Sequence, residues 1–179
     1  MMGIRTKKWK RNSNGREADD DLRIQGTIID MTTQIEIRPP HTDELKEVFR
    51  IRHDALEPPN APVQTELDGF DIQPGSRLLA AFIGGKLVGT VLAVALPNAG
   101  IIEQFAVDEA YRRQGIGSAL LKEAVGVASA VGAQSVEVFA FAEPEVISFF
   151  EKHEFIVAPG QDPIGIADIL LMTKVLQRG

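Results

Sequence analysis

The spacing of apolar positions changes several times along the chain, and each change marks an element. Around residues 34–38, Ile35 and Ile37 alternate with polar neighbours in the period of a strand, and Pro39-Pro40 stops it. Thr42-Asp43 can then cap a helix in which Leu45, Val48, Phe49 and Ile51-Arg52 recur at helical spacing, ending before Pro58-Pro59. Residues 57–77 carry Pro58, Pro59, Pro62, Pro74, Gly69 and Gly75, too broken for long elements and too long for a mere connector. A substrate-covering loop or short helix is expected there. Apolar runs at 77–83 and 86–96, joined by Gly84-Gly85, predict a hairpin. A turn over Pro97-Asn98-Ala99-Gly100 leads to a strand at 101–107, a glycine-containing turn and a helix over about 115–131. A strand at 135–141, a helix at 145–153 and strands at 155–158 and 168–175 complete the pattern. This order predicts a mixed α/β (α+β) domain whose mostly antiparallel sheet gains one parallel neighbour across the 115–131 helix.

Residues 1–16 hold six basic side chains and no acid, after which Glu17, Asp19, Asp20 and Asp21 reverse the sign. Residues 1–30 therefore read as a poorly ordered tail or as an added segment upstream of Met31, which reads as a normal protein start, with residues 31–179 forming the domain. A basic arm for an acidic partner is the functional alternative for the tail. About 150 residues suffice to bury roughly 70% of the unfolded chain's surface without staples. The 179 residues contain no cysteine, so disulfide frameworks, thiolate metal sites and enzymes that form a covalent acyl-thioester on a cysteine are excluded, and no metal is expected. A formal charge of −6 argues against nucleic acid as a partner. No apolar run approaches the roughly 20 residues of a membrane span, and the N-terminus lacks the pattern of a secretory leader, so a cytoplasmic protein is expected.

Candidate chemistry concentrates in Phe105-Ala106-Val107-Asp108-Glu109-Ala110-Tyr111-Arg112-Arg113-Gln114-Gly115-Ile116-Gly117-Ser118. An apolar strand enters a turn and then a helix whose first turn holds two glycines flanked by arginines. Glycines keep Cβ atoms away from an anion, the free N–H groups of the helix start point at it, and the dipole and arginines favour its charge. A phosphate or pyrophosphate suits such a place. The plainer alternative is that Gly115 and Gly117 only permit close helix-to-sheet packing. Gly117-Ser118 has no Lys between its residues, as a P-loop needs, and Leu120 stands where a dinucleotide fingerprint needs a third small residue.

Arg112-Arg113-Gln114-Gly115-Ile116-Gly117 resembles the Gln/Arg-x-x-Gly-x-Gly/Ala signature of the GNAT superfamily of acetyl-CoA-dependent N-acetyltransferases. Val146 through Phe155 is similar to the family's late helix-to-strand segment, and the order of elements agrees over residues 34–175. The resemblance implies a sheet of six to seven strands with about four helices, splayed between strands 101–107 and 135–141. It implies acetyl-CoA as cosubstrate, its pantetheine arm paired with the backbone of Phe105 and Val107. Its pyrophosphate would lie on the N–H groups of Arg113, Gln114, Gly115, Ile116, Gly117 and Ser118, with Arg112 or Arg113 adding charge. The acceptor would be a small-molecule or protein amine, and a homodimer is compatible, with apolar residues 88–96 able to contribute.

Acetyl transfer to an amine needs a base, a stabilised oxyanion and departure of a thiolate. Glu103 interrupts an apolar strand where the family often carries a glutamate, and is the leading base, Glu137 being second; a solvent-facing rung is the alternative for Glu103. The Val107 N–H is the candidate oxyanion donor. Phe150 stands where many relatives have a proton-donating tyrosine, Glu143 where they have asparagine, and Glu154 where they have glycine. Tyr111, the only tyrosine, is expected to pack. These departures keep open a catalytically silent acyl-CoA-binding regulatory module. A remoter resemblance, to acyl-homoserine-lactone synthases, rests on Val48 through His53 alone. Glu66, Asp68 and Asp71 could receive a cationic amine, and Arg50, Arg52 and His53 an acidic acceptor; His41 and His153 read as surface residues.

Overall fold

The computed structural model describes residues 34–69, 71–159 and 168–177; the expected tail of residues 1–30 lies outside them. Strand β1 (Ile35–Arg38) is followed by a 3-10 turn (Thr42–Glu44) and helix α1 (Leu45–Leu56). Thr42 and Asp43 lie inside that turn instead of capping it; Glu44 reaches back and accepts the His41 N–H at 2.6 Å. Glu44 also pairs with Arg38 at 2.7 Å, which lowers its carboxyl to about 2 and ties β1 to the start of α1. The described part of residues 57–75 carries turns and no helix, so three α-helices stand where about four were expected. Its four prolines remove the backbone donors and the conformations that a helix needs.

The hairpin of β2 (Ser76–Ile83) and β3 (Lys86–Ala95) turns at Gly84 and Gly85, whose φ angles of 57° and 80° explain why two glycines stand there. Strand β4 (Ala99–Val107) leads through a second 3-10 turn (Glu109–Tyr111) into α2 (Ile116–Ala130). Strand β5 (Ser135–Phe141), helix α3 (Pro144–Lys152), strand β6 (Ile156–Val157) and strand β7 (Ile169–Val175) follow. The seven strands form one sheet in the order β1-β2-β3-β4-β5-β7-β6, antiparallel throughout except for the parallel pair β4–β5.

Each face of the sheet has its own core. On one face Ile116, Leu120, Leu121, Ala124 and Ala128 of α2 pack with Val88, Val91, Ile102, Val136 and Val138, and Phe150 and Phe155 close the far end. Their spacing is the helical stripe that buries one face. On the other, Val48, Phe49 and Ile51 of α1 pack on Ala80, Phe82, Leu87 and Ala106. Gly100 allows α2 its close approach, because a Cβ there would overlap the Cβ of Ala128.

Candidate active site

Where β4 meets β5 the ladder is incomplete. Their parallel register runs from Ala99↔Ser135 to Ile102↔Val138 and stops. Beyond that rung β4 stays with β3 as far as Gly89↔Val107, while β5 stays with β7 as far as Phe141↔Ile169. The two strands therefore part into a cleft, as expected between 101–107 and 135–141.

A bulge in β4 lies at the parting. Between Thr90↔Ala106 and Leu92↔Glu103, Val91 faces two residues, and Gln104 takes φ 50°, left-handed for a residue with a side chain. The extra residue restores alternation with a new phase. Ile102 and Phe105 thus both face α2, although they are three apart, and Glu103 and Ala106 both face α1. The bulge also sets the backbone. The Asp108 N–H donates to the Val88 carbonyl at 3.0 Å, so in antiparallel alternation Val107 turns its own N–H away from β3, into the cleft. By the same alternation Phe105 presents its backbone groups there.

Glu103 sits one residue past the last shared rung, partly buried on the α1 face. Burial pushes its carboxyl above the ordinary glutamate range, and the negative charges of Asp68 and Asp71 push the same way. Glu137, the second candidate base, pairs with Ile101 inside the closed half of the ladder.

The turn from β4 to α2 supplies the other half of the site. Gly115 caps α2 at φ 84°, and a Cβ there would meet nothing within 4 Å. Ala119 is the first residue of α2 whose N–H bonds back, to the Gly115 carbonyl at 3.0 Å; the N–H groups of Ile116, Gly117 and Ser118 belong to the first turn, which lacks intrahelical acceptors. Arg113 stands at φ 65° with an exposed side chain. Arg112, also exposed, donates its Nε–H to the Val107 carbonyl at 3.3 Å, and Gln114 reaches the Ala110 carbonyl at 3.5 Å. Gly117 behaves differently from Gly115. A Cβ on it would stand 3.4 Å from the Phe149 ring and 3.7 Å from Phe105, ordinary contact distances. Gly115 is required by its backbone angle and opens outward.

Several side chains take places that the sequence did not disclose. His153, expected at the surface, is half-buried: its Nδ1 donates to the Phe149 carbonyl at 2.8 Å and its Nε2 lies 3.0 Å from the Ser118 hydroxyl, joining α3 to the first turn of α2. Asp71 is buried and pairs with buried Arg52 at 2.8 Å, while His53 bonds the Ala61 carbonyl at 3.0 Å. Arg50 is divided among Glu47, Asp54 and Asp108, at 2.7, 2.7 and 2.6 Å. Asp71, Arg50, Arg52 and His53 thus fasten α1 to its surroundings instead of facing an acceptor. A recess of about 510 Å³ between α1 and the turn after β4 is lined by Arg50, Asp54, Asp108 and Arg112, whose charged groups have partners within the fold. Phe150 is 3% exposed and packs in tilted and edge-on contact with Phe105, Phe149 and Phe155, a core position without a hydroxyl. Tyr111 packs as expected, beneath the Lys86 ammonium at 4.8 Å. Glu154 adopts φ 68°, a left-handed angle that favours glycine, and Lys174 holds its carboxylate at 2.7 Å. Glu143 is the N-cap residue of α3 and makes no side-chain cap bond.

Among the described residues, no group of three or more His, Asp or Glu side chains is placed to hold a metal ion, and no helix is long and apolar enough to cross a membrane.

Known structures share this fold. Ard1 from Thermoplasma volcanium superposes with a TM-score of 0.66 at 23% identity, over 80% of this chain and 99% of that one. The ribosomal-protein-S18-alanine N-acetyltransferase from Escherichia coli gives 0.65 at 20% identity, over 82% and 96%. The PaiA N-acetyltransferase from Thermoplasma acidophilum, in complex with coenzyme A, gives 0.64 at 18% identity, over 80% and 99%. No curated protein matches by sequence. The model of the acetyltransferase (GNAT) family matches residues 42–155, nearly two thirds of the chain and the whole of the cleft and its glycine turn. The chain therefore belongs to the GNAT acetyltransferase family.

Proposed function

We propose that the protein is an N-acetyltransferase that moves an acetyl group from acetyl-CoA to a primary amine by direct attack in a ternary complex. The observation that carries this reading is the parting of β4 from β5 beyond Ile102↔Val138, with the Val107 N–H turned into the gap and an open α2 N-terminus at its end. Coenzyme A in a similar structure and an alanine amine as acceptor of another support donor and acceptor.

The residues fit the cosubstrate: Phe105 and Val107 offer backbone groups to an extended amide-bearing arm, and Gly115 leaves open space beside the N–H groups through Ser118. Arg112 and Arg113 add positive charge, and acetyl-CoA supplies the activated acetyl thioester. Glu103, ionised, takes the proton of the acceptor ammonium directly or through water, which frees the lone pair for attack. A C–N bond then forms to the acetyl carbon, the Val107 N–H meets the oxygen as it gains charge, and the C–S bond breaks. The electron pair leaves with sulfur as a thiolate and the acylated nitrogen sheds its second proton to water; because a thiol has a pKa of about 8–9, water can in turn protonate the thiolate without a side-chain acid at Phe150. The hydroxyl-free core at Phe150 favours one second reading, a silent acyl-CoA-binding module, which would bind equally and turn nothing over.

Thermal unfolding with and without acetyl-CoA tests the cleft, with ADP and NAD as controls. At 100 times Kd the ligand adds about 2.7 kcal/mol, which should raise Tm by roughly 5 °C or more. No shift specific to acetyl-CoA would remove the basis of both readings. Release of CoA in the presence of amines separates enzyme from silent module.

A further inference from the structure

The acceptor side of the cleft has two unlike walls, and together they define the kind of amine it receives. This inference rests on the acetyltransferase reading. One wall is acidic. Glu103 faces α1, and the charges of Asp68 and Asp71 are near enough to raise its carboxyl. Arg52 closes off Asp71, which leaves the wall with a partly exposed Glu103 on β4 and an exposed Asp68 near it.

The other wall is apolar. Val136, Val138 and Ala140 of β5 are buried in the α2 core, so Glu137, Phe139 and Phe141 point to the opposite face, the one Glu103 shares. Phe139 is the first residue of β5 past the last rung, as Glu103 is of β4. Its cross-strand partner is Leu171, and that of Phe141 is Ile169; pairs directly opposite share a face, so the apolar wall continues onto β7. Helix α1 packs on β3 and β4, short of this wall. Phe139 keeps 51% of its surface exposed and Phe141 38%. An alternating strand that turns a solvated face outward carries polar residues there. Two phenyl rings in that place, beside the carboxylate at the mouth of a cleft, are the composition of a pocket that fixes one polar atom and covers an apolar body.

We propose that the acceptor is a primary amine carried on an apolar or aromatic substituent, with its nitrogen beside Glu103 and its substituent on Phe139 and Phe141. Charge selects the ammonium end and the rings select the body attached to it. A polycationic acceptor would leave these rings wet. A free arylalkyl amine and the amino terminus of a peptide with a large apolar first residue share this chemistry.

The test is equilibrium binding to the CoA-loaded protein by calorimetry, using 2-phenylethylamine against ethanolamine and, as a second arm, peptides beginning with Phe against Ser. At least about tenfold tighter binding of the aromatic member is expected in one or both arms, the arm showing it naming the source. Phe139→Ser should abolish the difference and Phe139→Leu restore most of it, with the acetyl-CoA shift in Tm unchanged in both, since Phe139 is exposed and not part of either core. Equal binding of aromatic and polar amines in both arms, tighter binding of spermidine than of either, or a preference that survives Phe139→Ser would overturn the proposal. Failure of the acetyltransferase reading looks different: no acetyl-CoA shift, or amine binding without CoA release.

Discussion

The two halves of the β4–β5 pair run side by side in one sheet and obey opposite rules. From Ala99 to Ile102 the strands share a ladder with Ser135 through Val138, and Ile102, Val136 and Val138 are 2%, 0% and 3% exposed. Past that rung a left-handed Gln104, a half-desolvated Glu103 and two exposed phenylalanines succeed one another within a few residues. The closed half satisfies its backbone and fills its volume. The open half leaves backbone donors for a ligand and places a carboxylate where ionisation is disfavoured. Both features cost stability, and both are what binding and proton transfer require.

If the halves are as distinct as this, they should respond separately. The largest expected effect belongs to the closed half. Gly100→Val forces a branched side chain against Ala128 on α2 and Val136, and should lower stability by about 3 kcal/mol, read from denaturant midpoints, with residual folded protein still shifted in Tm by acetyl-CoA. Loss of the acetyl-CoA response in step with stability would mean that the halves are one unit. In the open half, Glu103→Gln should lower kcat at least about tenfold, equivalent to about 1.4 kcal/mol, and leave both acetyl-CoA affinity and Tm near the parent values. Unchanged kcat would discard Glu103 as the base.

The smallest effect is a shift in pH dependence. A base works ionised, so the acid limb of kcat should lie above the ordinary glutamate range because burial raises Glu103. Asp68→Asn removes one of the neighbouring charges that push the same way while keeping the side-chain oxygen that accepts the Asp71 N–H at 3.2 Å. The limb should therefore move to lower pH in that variant. Stability runs the other way: the fold favours the protonated Glu103 carboxyl, so the stability it contributes is full below the unfolded value and is lost as pH rises through the folded one.

Periodicity alone located the elements. Ser135–Phe141 agrees with its expected bounds, and most other elements within one or two residues, because the hydrophobic pattern of each strand is local and glycine or proline punctuates the ends. The site was legible unevenly. Gly115 announced its turn because a left-handed angle selects glycine, whereas Gln104, at a comparable angle, left no such trace. Glu103 stood out as a charge in an apolar run, but its environment depends on Asp68 and Asp71, more than thirty residues away. His153 read as a surface residue since its hydroxyl partner, Ser118, lies 35 positions earlier.

What the chain by itself determined is the type and order of its elements, the glycine turn with its arginines, and the chemistry withheld: no thiol anywhere and no hydroxyl at Phe150. Those are properties of neighbours in sequence and of side-chain identity. Tertiary structure alone decided where the β4–β5 ladder ends, which carboxylate is desolvated, that Asp71 is consumed by Arg52, and that Phe139 shares a face with Glu103. Each of these depends on register and burial between segments distant along the chain, and a slip of one residue in β4 or β5 would reverse every face without changing a letter of the sequence.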